Sequence, residues 1–219
     1  MPRWGMVIDI TKCVGCDACT VACKSENQTP GDIWYAPVIH QEVGEYPNAR
    51  MVFIPTLCMH CEDAPCVRAC PTSALMRRPD GIVMYEEDKC CGSRACVTAC
   101  PYDAAKFFEG ESGESLFGQE HTLPTVADRG ARLRYDAGTV QKCTFCAHRV
   151  DYGNEHGLKI GIDREATPAC VVTCPAECRI FGDLSDPESN VGRYLRKRGK
   201  TEVLRPDAKT NPKVIYVVD

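Results

Sequence analysis

The chain has 219 residues, 17 of them cysteine, with a hydrophobic fraction of 44% and a formal net charge of −4. That length suits one or two small domains, and since cysteine inflates the apolar fraction, the aliphatic core is thin enough to need metals or partners. The acidic balance, with no basic tract interleaved with aromatics, points away from nucleic acid; the odd cysteine count, and an opening MPRWGMVIDI that is not expected to be a signal peptide, point away from a disulfide framework.

In chain order, a β-like run at Met6–Ile10 leads into Cys13-x2-Cys16-x2-Cys19-x3-Cys23. A proline-containing loop at 27–37 and a strand at Met51–Ile54 follow. The second cysteine group is Cys58-x2-Cys61-x4-Cys66-x3-Cys70, closed by Pro71. A strand at Ile82–Tyr85 precedes the third group, Cys90, Cys91, Cys96 and Cys100, closed by Pro101. Residues 109–138, rich in Gly, Ser and acidic side chains, read as a long surface excursion. The fourth group is Cys143-x2-Cys146, then Cys170-x3-Cys174 with Pro175 after it. Arg179–Phe181 and Val214–Val218 read as strands, 187–199 as one amphipathic helix and 200–219 as an extended tail. Cys178 is left over as a spare thiol.

The groups are copies of one unit. CVRACPTSA (66–74) and CVTACPYDA (96–104) match over most of their length, and CVVTCPAEC (170–178) is a looser copy. Each x3-Cys-Pro ending predicts one or two helical turns stopped by proline. Zinc takes four ligands, usually as two separated pairs. Three cysteines each two residues apart instead wrap a loop around one cubane cluster, and the fourth, one helical turn on, reaches its neighbour. Four such groups predict four [4Fe-4S] clusters in two pairs. The third group departs from the rule, because Ser93 stands three residues after Cys90, in the slot of the second cysteine. Either Cys91 fills that corner, giving sixteen thiolates with the Cys61-x4-Cys66-x3-Cys70 spacing, or the corner lacks one and the cluster is [3Fe-4S] or oxygen-ligated; the count favours Cys91 as the ligand. No P-loop, nicotinamide fingerprint or catalytic triad is present, so a non-catalytic role is expected.

At this point the chain resembles the four-cluster iron–sulfur subunits that partner molybdopterin enzymes of the dimethyl sulfoxide reductase family. The matching stretches are GMVIDITKCVGCDACTVACK (5–24), PTLCMHCEDAPCVRACPTSA (55–74), DKC (88–90), ACVTACPYDAAKF (95–107), KCTFCAHRV (142–150), PACVVTCP (168–175) and FGDLSDPES (181–189). The resemblance implies an α+β fold of tandem bacterial-ferredoxin-like units, with short strands, short helices and much loop. One unit (1–50 and 140–185) would carry groups one and four, and the other (51–108) groups two and three. Residues 109–139 would be a loop excursion and 186–219 a C-terminal helix and tail in contact with a partner.

The ligand sets it implies are Cys13, Cys16, Cys19 and Cys174; Cys143, Cys146, Cys170 and Cys23; Cys58, Cys61, Cys66 and Cys100; and Cys90, Cys96 and Cys70 with an open fourth ligand. It also implies a large molybdopterin catalytic subunit, a membrane-anchored quinol-reactive subunit or soluble carrier, and a cytoplasmic or co-exported location, with no direct membrane insertion. Ser93 departs from the family cysteine, and the 147–169 stretch looks like an insertion. Other readings are a free-standing polyferredoxin, an enzyme using an open iron at Ser93, and a zinc adaptor.

Several other residues stand near ligands. His60, between two cysteines, is expected in a supporting or surface role. Lys12, Lys24, Lys89, Lys142 and Arg94 are either potential-raising charges or ordinary surface charge. Trp4, Trp34 and Tyr102 are expected to pack.

Overall fold

The structure is a computed structural model, and it describes residues 1–110, 113–114 and 134–218. The first strand, β1 (Trp4–Asp9), is buried along its whole length, as its run of apolar side chains requires. Helix α1 (Ala18–Asn27) follows the first three cysteines. Next come the antiparallel ribbon β2 (Val38–Val43) and β3 (Arg50–Pro55), helix α2 (Pro65–Ala69), and the ribbon β4 (Leu75–Arg77) and β5 (Val83–Tyr85). Helix α3 (Ala95–Ala99) leads to β6 (Lys106–Phe108), then β7 (Gly113–Glu114), β8 (Arg134–Tyr135) and β9 (Thr139–Gln141). Helix α4 (Ala147–Glu155), helix α5 (Ala169–Val172), β10 (Arg179–Asp183), helix α6 (Asn190–Lys197), β11 (Thr201–Glu202) and β12 (Val214–Val217) complete the chain.

The expected α+β class holds, and the short helices before each Cys-Pro appear at α2, α3 and α5. Helix α1 packs on α5, joining groups one and four, and α2 packs on α3, joining groups two and three. The largest sheet has the order β10-β1-β12-β11. In it β1 runs antiparallel to β10 and parallel to β12. The tail is therefore extended but not free: Val214 and Val217 are buried, and the chain's end doubles the sheet that carries group one. Ser189 caps α6, its hydroxyl accepting from the Gly192 N–H at 3.0 Å.

Most of the 109–139 excursion (111–112 and 115–133) lies outside the described residues. The 147–169 stretch is folded, with α4 packed against a short 3-10 turn at Arg164–Ala166. A buried polar network links the chain after group one and before group four to the chain before group three. The Tyr35 and Tyr85 hydroxyls donate to Gln141 Oε1 at 2.7 and 3.0 Å, and Gln141 Nε2 donates to Glu87 at 2.6 Å.

Candidate metal centres

The internal repeat is written in the backbone. In all four groups the residue two after the first cysteine is left-handed: Gly15 (φ 66°), His60 (44°), Gly92 (70°) and Phe145 (55°). A second left-handed position falls three residues past the last cysteine wherever proline follows it, at Ser73 (54°), Asp103 (50°) and Glu177 (47°). Group one has no such proline, and α1 runs on past Cys23 to Asn27. Turns of this kind aim successive backbone N–H groups into one concavity, which suits an anionic guest. A side chain at Gly15 would also put a Cβ 2.3 Å from the Phe53 ring. His60 and Phe145 hold the same slot in groups two and four despite the strain, and their rings stack on each other at 3.6 Å. With Gly92 in that slot, Ser93 stands where Cys16, Cys61 and Cys146 stand in the other groups. Cys91 stands two positions before Ser93, directly after Cys90, and is exposed.

The cysteines gather crosswise between groups. Burial pushes the Cys23 thiol well up, and so do Cys146, Cys143 and Cys170 around it. Burial pushes Cys66 to about 12, with Cys58, Cys100 and Cys61 adding to it. Cys61 is raised to about 11 by burial, with Cys58 and Cys100 beside it. Cys96 is raised by burial and by Cys90 and Cys70. Cys19 bears on Cys170, and Cys58 on Cys143, so neighbouring sets adjoin. Cys178, expected as a spare, is buried with its sulfur 3.4 Å from that of Cys174, and Cys13 is close enough to bear on it. The Cys178 thiol and nearby backbone N–H groups hold the Cys174 thiol below its usual range.

Two observations test whether iron–sulfur clusters suit these sets. Gathered thiols resist ionisation when buried together, and a cationic iron core removes that resistance. Also, the buried side-chain atoms left without a partner among the described residues are Trp4 Nε1, His60 Nε2, and Arg179 Nε and Nη2. Val83 N–H donates to His60 Nδ1 at 3.0 Å, and burial holds the ring neutral, so its proton is on Nε2. Every orphan is thus an N–H donor, and a sulfide-rich anionic cluster is an acceptor. Among the described residues no three His, Cys, Asp or Glu converge to hold a single ion. A cubane needs no such point, because it presents a separate iron to each thiolate. The residues fit the clusters.

Comparison with known proteins accords with this geometry. Two family profiles, each described as a 4Fe-4S dicluster domain, match residues 12–74 and 49–115. The arsenate respiratory reductase iron-sulfur subunit of Shewanella sp. (strain ANA-3) is 37% identical, over 98% of this chain and 96% of that protein. The putative dimethyl sulfoxide reductase iron-sulfur subunit of Halobacterium salinarum is 39% identical, over 99% of this chain and 79% of that one. A selenate reductase subunit of Mesobacillus selenatarsenatis is 38% identical, over 98% and 72%. The chain belongs to the iron–sulfur subunits of the dimethyl sulfoxide reductase family of molybdopterin oxidoreductases.

As a member of that family it is an electron-transfer subunit, and its charged residues take on meaning as cluster surroundings. Glu26, on α1, is buried and accepts two hydrogen bonds at 2.5 Å from Arg149 and one at 2.8 Å from His148, both on α4. Burial favours the protonated acid, but those bonds and the Arg149 charge win and hold Glu26 at about 2. Arg149 further donates to the Arg164 and Thr167 carbonyls at 2.9 and 3.2 Å.

Lys142 is fully buried and donates to the Val83 carbonyl and, at 2.7 Å, to that of Cys143. Lys24 is buried, donates to the Pro30, Gly31 and Ile33 carbonyls, and lies 4.4 Å from the centre of the Trp34 ring. Lys12 lies over the Tyr194 ring at 5.5 Å. Lys89 and Arg94 pair at the surface with Glu86 and Glu109. His60 is fully buried, Trp4 stacks on Phe181, and Tyr102 bonds Thr210 at 2.5 Å. Arg179 and Glu26 are the residues sequence reasoning missed.

Proposed function

We propose that this chain carries electrons between a large molybdopterin subunit, holding molybdenum or tungsten, and a membrane-anchored quinol-reactive subunit or soluble carrier. One cluster is held by Cys13, Cys16, Cys19 and Cys174, and its neighbour by Cys23, Cys143, Cys146 and Cys170. A third is held by Cys58, Cys61, Cys66 and Cys100, and a fourth by Cys70, Cys90 and Cys96. When bound, such clusters supply one-electron redox chemistry at potentials set by charge, hydrogen bonds to sulfur and exposure.

The observation that carries this reading is the burial gradient. Cys16, in the first set, and Cys91, beside the last, are exposed, while Cys23, Cys143, Cys146 and Cys170 and the thiols of Cys58, Cys61 and Cys66 between them are buried. A conduit needs this arrangement, open at each end and sealed from water between. Among the described residues no helix is long and apolar enough to cross a membrane, so a membrane-anchored partner would contact this chain from outside the bilayer. The names of the relatives span arsenate, selenate and dimethyl sulfoxide reductases, which assigns substrate choice to the catalytic partner.

At the third group the backbone register favours a corner without a thiolate. Ser93 takes the ligand slot, Cys91 stands two residues before it, and the adjacent Cys90 and Cys91 gripping one cluster would strain the turn. The counter-argument is the tally: with Cys178 set aside, sixteen cysteines remain, enough for four [4Fe-4S] clusters.

The test is anaerobic purification of the tagged chain with whatever holds it, followed by iron and sulfide analysis and electron paramagnetic resonance before and after reduction. The expected result is co-purification of a large molybdenum- or tungsten-containing subunit and about fifteen irons per chain, with an oxidised-state [3Fe-4S] signal. Cys91→Ser should then leave the iron content unchanged, and Ser93→Cys should raise it to about sixteen. Loss of iron in Cys91→Ser would hand the corner to Cys91. Zinc without iron, or a stable lone monomer, would overturn the conduit itself.

A further inference from the structure

Buried cations in this protein normally have partners. Arg149 has Glu26 and two carbonyls, Lys142 has two carbonyls and Lys24 has three. Arg179, the first residue of β10, is the exception. It is 2% exposed. Among the described residues its Nε and Nη2 have no hydrogen-bond partner, Nη1 reaches the sulfur of Met6 at 3.8 Å, and the guanidinium also bears on the Cys170 thiol. The groups its charge bears on are, in order, the Cys170 and Cys19 sulfurs, the Tyr216 phenol and the Cys178 sulfur, with no carboxylate among them. Cys23 also feels it. An unpaired buried guanidinium is costly, and a sequence tolerates one where an anion of the working protein faces it.

We propose that Arg179 is a fixed counter-charge shared by the two clusters of the first unit, facing Cys170 and Cys23 of one and Cys19 of the other, and that it raises both reduction potentials. The inference rests on the ligand sets given above. Reduction adds one electron to a centre whose surroundings hold no mobile counter-ion. A cation fixed in a weakly polarisable interior stabilises that added charge more than water would. Placed between two centres, it also eases the repulsion between two reduced neighbours. The guanidinium stays charged at every working pH, so its effect does not titrate. Packing alone does not account for the residue, because an apolar side chain would fill the space without stranding two donors.

The decisive experiment compares Arg179→Met and Arg179→Lys with wild type in the anaerobically purified complex, by redox titration followed by electron paramagnetic resonance. In Arg179→Met two of the potentials should fall by about 59 mV or more, a tenfold loss in each reduction equilibrium. The potentials of the second unit should stay put, and Arg179→Lys should lie near wild type. Full iron in Arg179→Met with unmoved potentials overturns the proposal. Where Arg179→Met cannot hold iron, Arg179→Lys decides. Recovery of iron and of wild-type potentials supports the counter-charge, and continued loss assigns Arg179 a packing role. Wild-type protein lacking iron would sink the cluster reading itself, whereas iron-replete wild type with an unmoved Arg179→Met sinks this inference alone.

Discussion

The two halves of the molecule solve the same problem with different means. On the proposed division into two ferredoxin-like units, the first, built on groups one and four, is braced by a four-stranded sheet that draws in strand β12, and by the buried Glu26–Arg149 pair across α1 and α4. The second unit, built on groups two and three, has two-stranded ribbons and two helices of five residues each. Both units hold open and buried thiols: Cys16 is exposed and Cys13 and Cys174 are half-exposed in the first, while Cys58, Cys61, Cys66 and Cys96 are buried in the second. The first unit has non-covalent structure of its own, and the second leans on its metal. A buried cluster pays for desolvation and needs fixed cations nearby, while one near the surface has water and a partner to screen it.

Removing iron is the strongest way to break this symmetry. Structural metal sites contribute on the order of 10 kcal/mol to folding. Anaerobic chelation should therefore unfold residues 51–108 while the β10-β1-β12-β11 sheet keeps partial protection, as hydrogen exchange would report. Equal loss of protection in both units would show that neither half stands without its clusters.

Breaking the brace of the first unit comes next. Glu26→Gln leaves the Arg149 guanidinium buried with carbonyls alone, and loss of one partner of a buried pair costs about 3–5 kcal/mol. Thermal unfolding of the iron-loaded variant should show a lower midpoint. The pH dependence has a definite sign. The folded-state Glu26 is lowered from about 4.5 to about 2, so its contribution is complete above the unfolded value and drains away as pH falls between the two. The gap between wild type and Glu26→Gln in half-life to iron loss should be widest above pH 5 and close toward pH 2. A gap that stays constant through that window would mean that Glu26 acts through shape rather than charge.

Much of this was legible in the sequence because cysteine spacing is local. Intervals of two and three residues determine how a loop wraps, and proline determines where each short helix stops. What the spacing could not show was long-range. Arg149 and Glu26 lie 123 residues apart, and nothing near either one names the other. The VIYVV run near the C-terminus reads as a strand, but its parallel pairing with β1 joins the two ends of the chain. Cys178 carried a signal that was passed over: four residues after Cys174, it is placed to meet it on the far side of the Cys-Pro turn, and the two sulfurs touch. Arg179, directly after it, reads as an ordinary strand residue, because only the assembled fold shows that among the described residues no carboxylate answers it.

The smallest expected effect concerns the joint between the halves. His60 and Phe145 occupy the same left-handed slot in groups two and four and stack at 3.6 Å, so each unit's cluster loop supports the other's. His60 adds one bond that phenylalanine cannot make, accepting the Val83 N–H at 3.0 Å. His60→Phe would keep the stack and strand that buried donor, at about 1–3 kcal/mol. Because Val83 belongs to β5, the loss should appear as faster hydrogen exchange at β4 and β5, with β1 and β10 unchanged. Since the ring is held neutral by burial and by the Lys142 charge beside it, the difference between wild type and variant should not depend on pH across the neutral range. A pH-dependent difference there would mean that the imidazole carries a proton in the working protein, and that the joint between the units is an ionic contact rather than a stack.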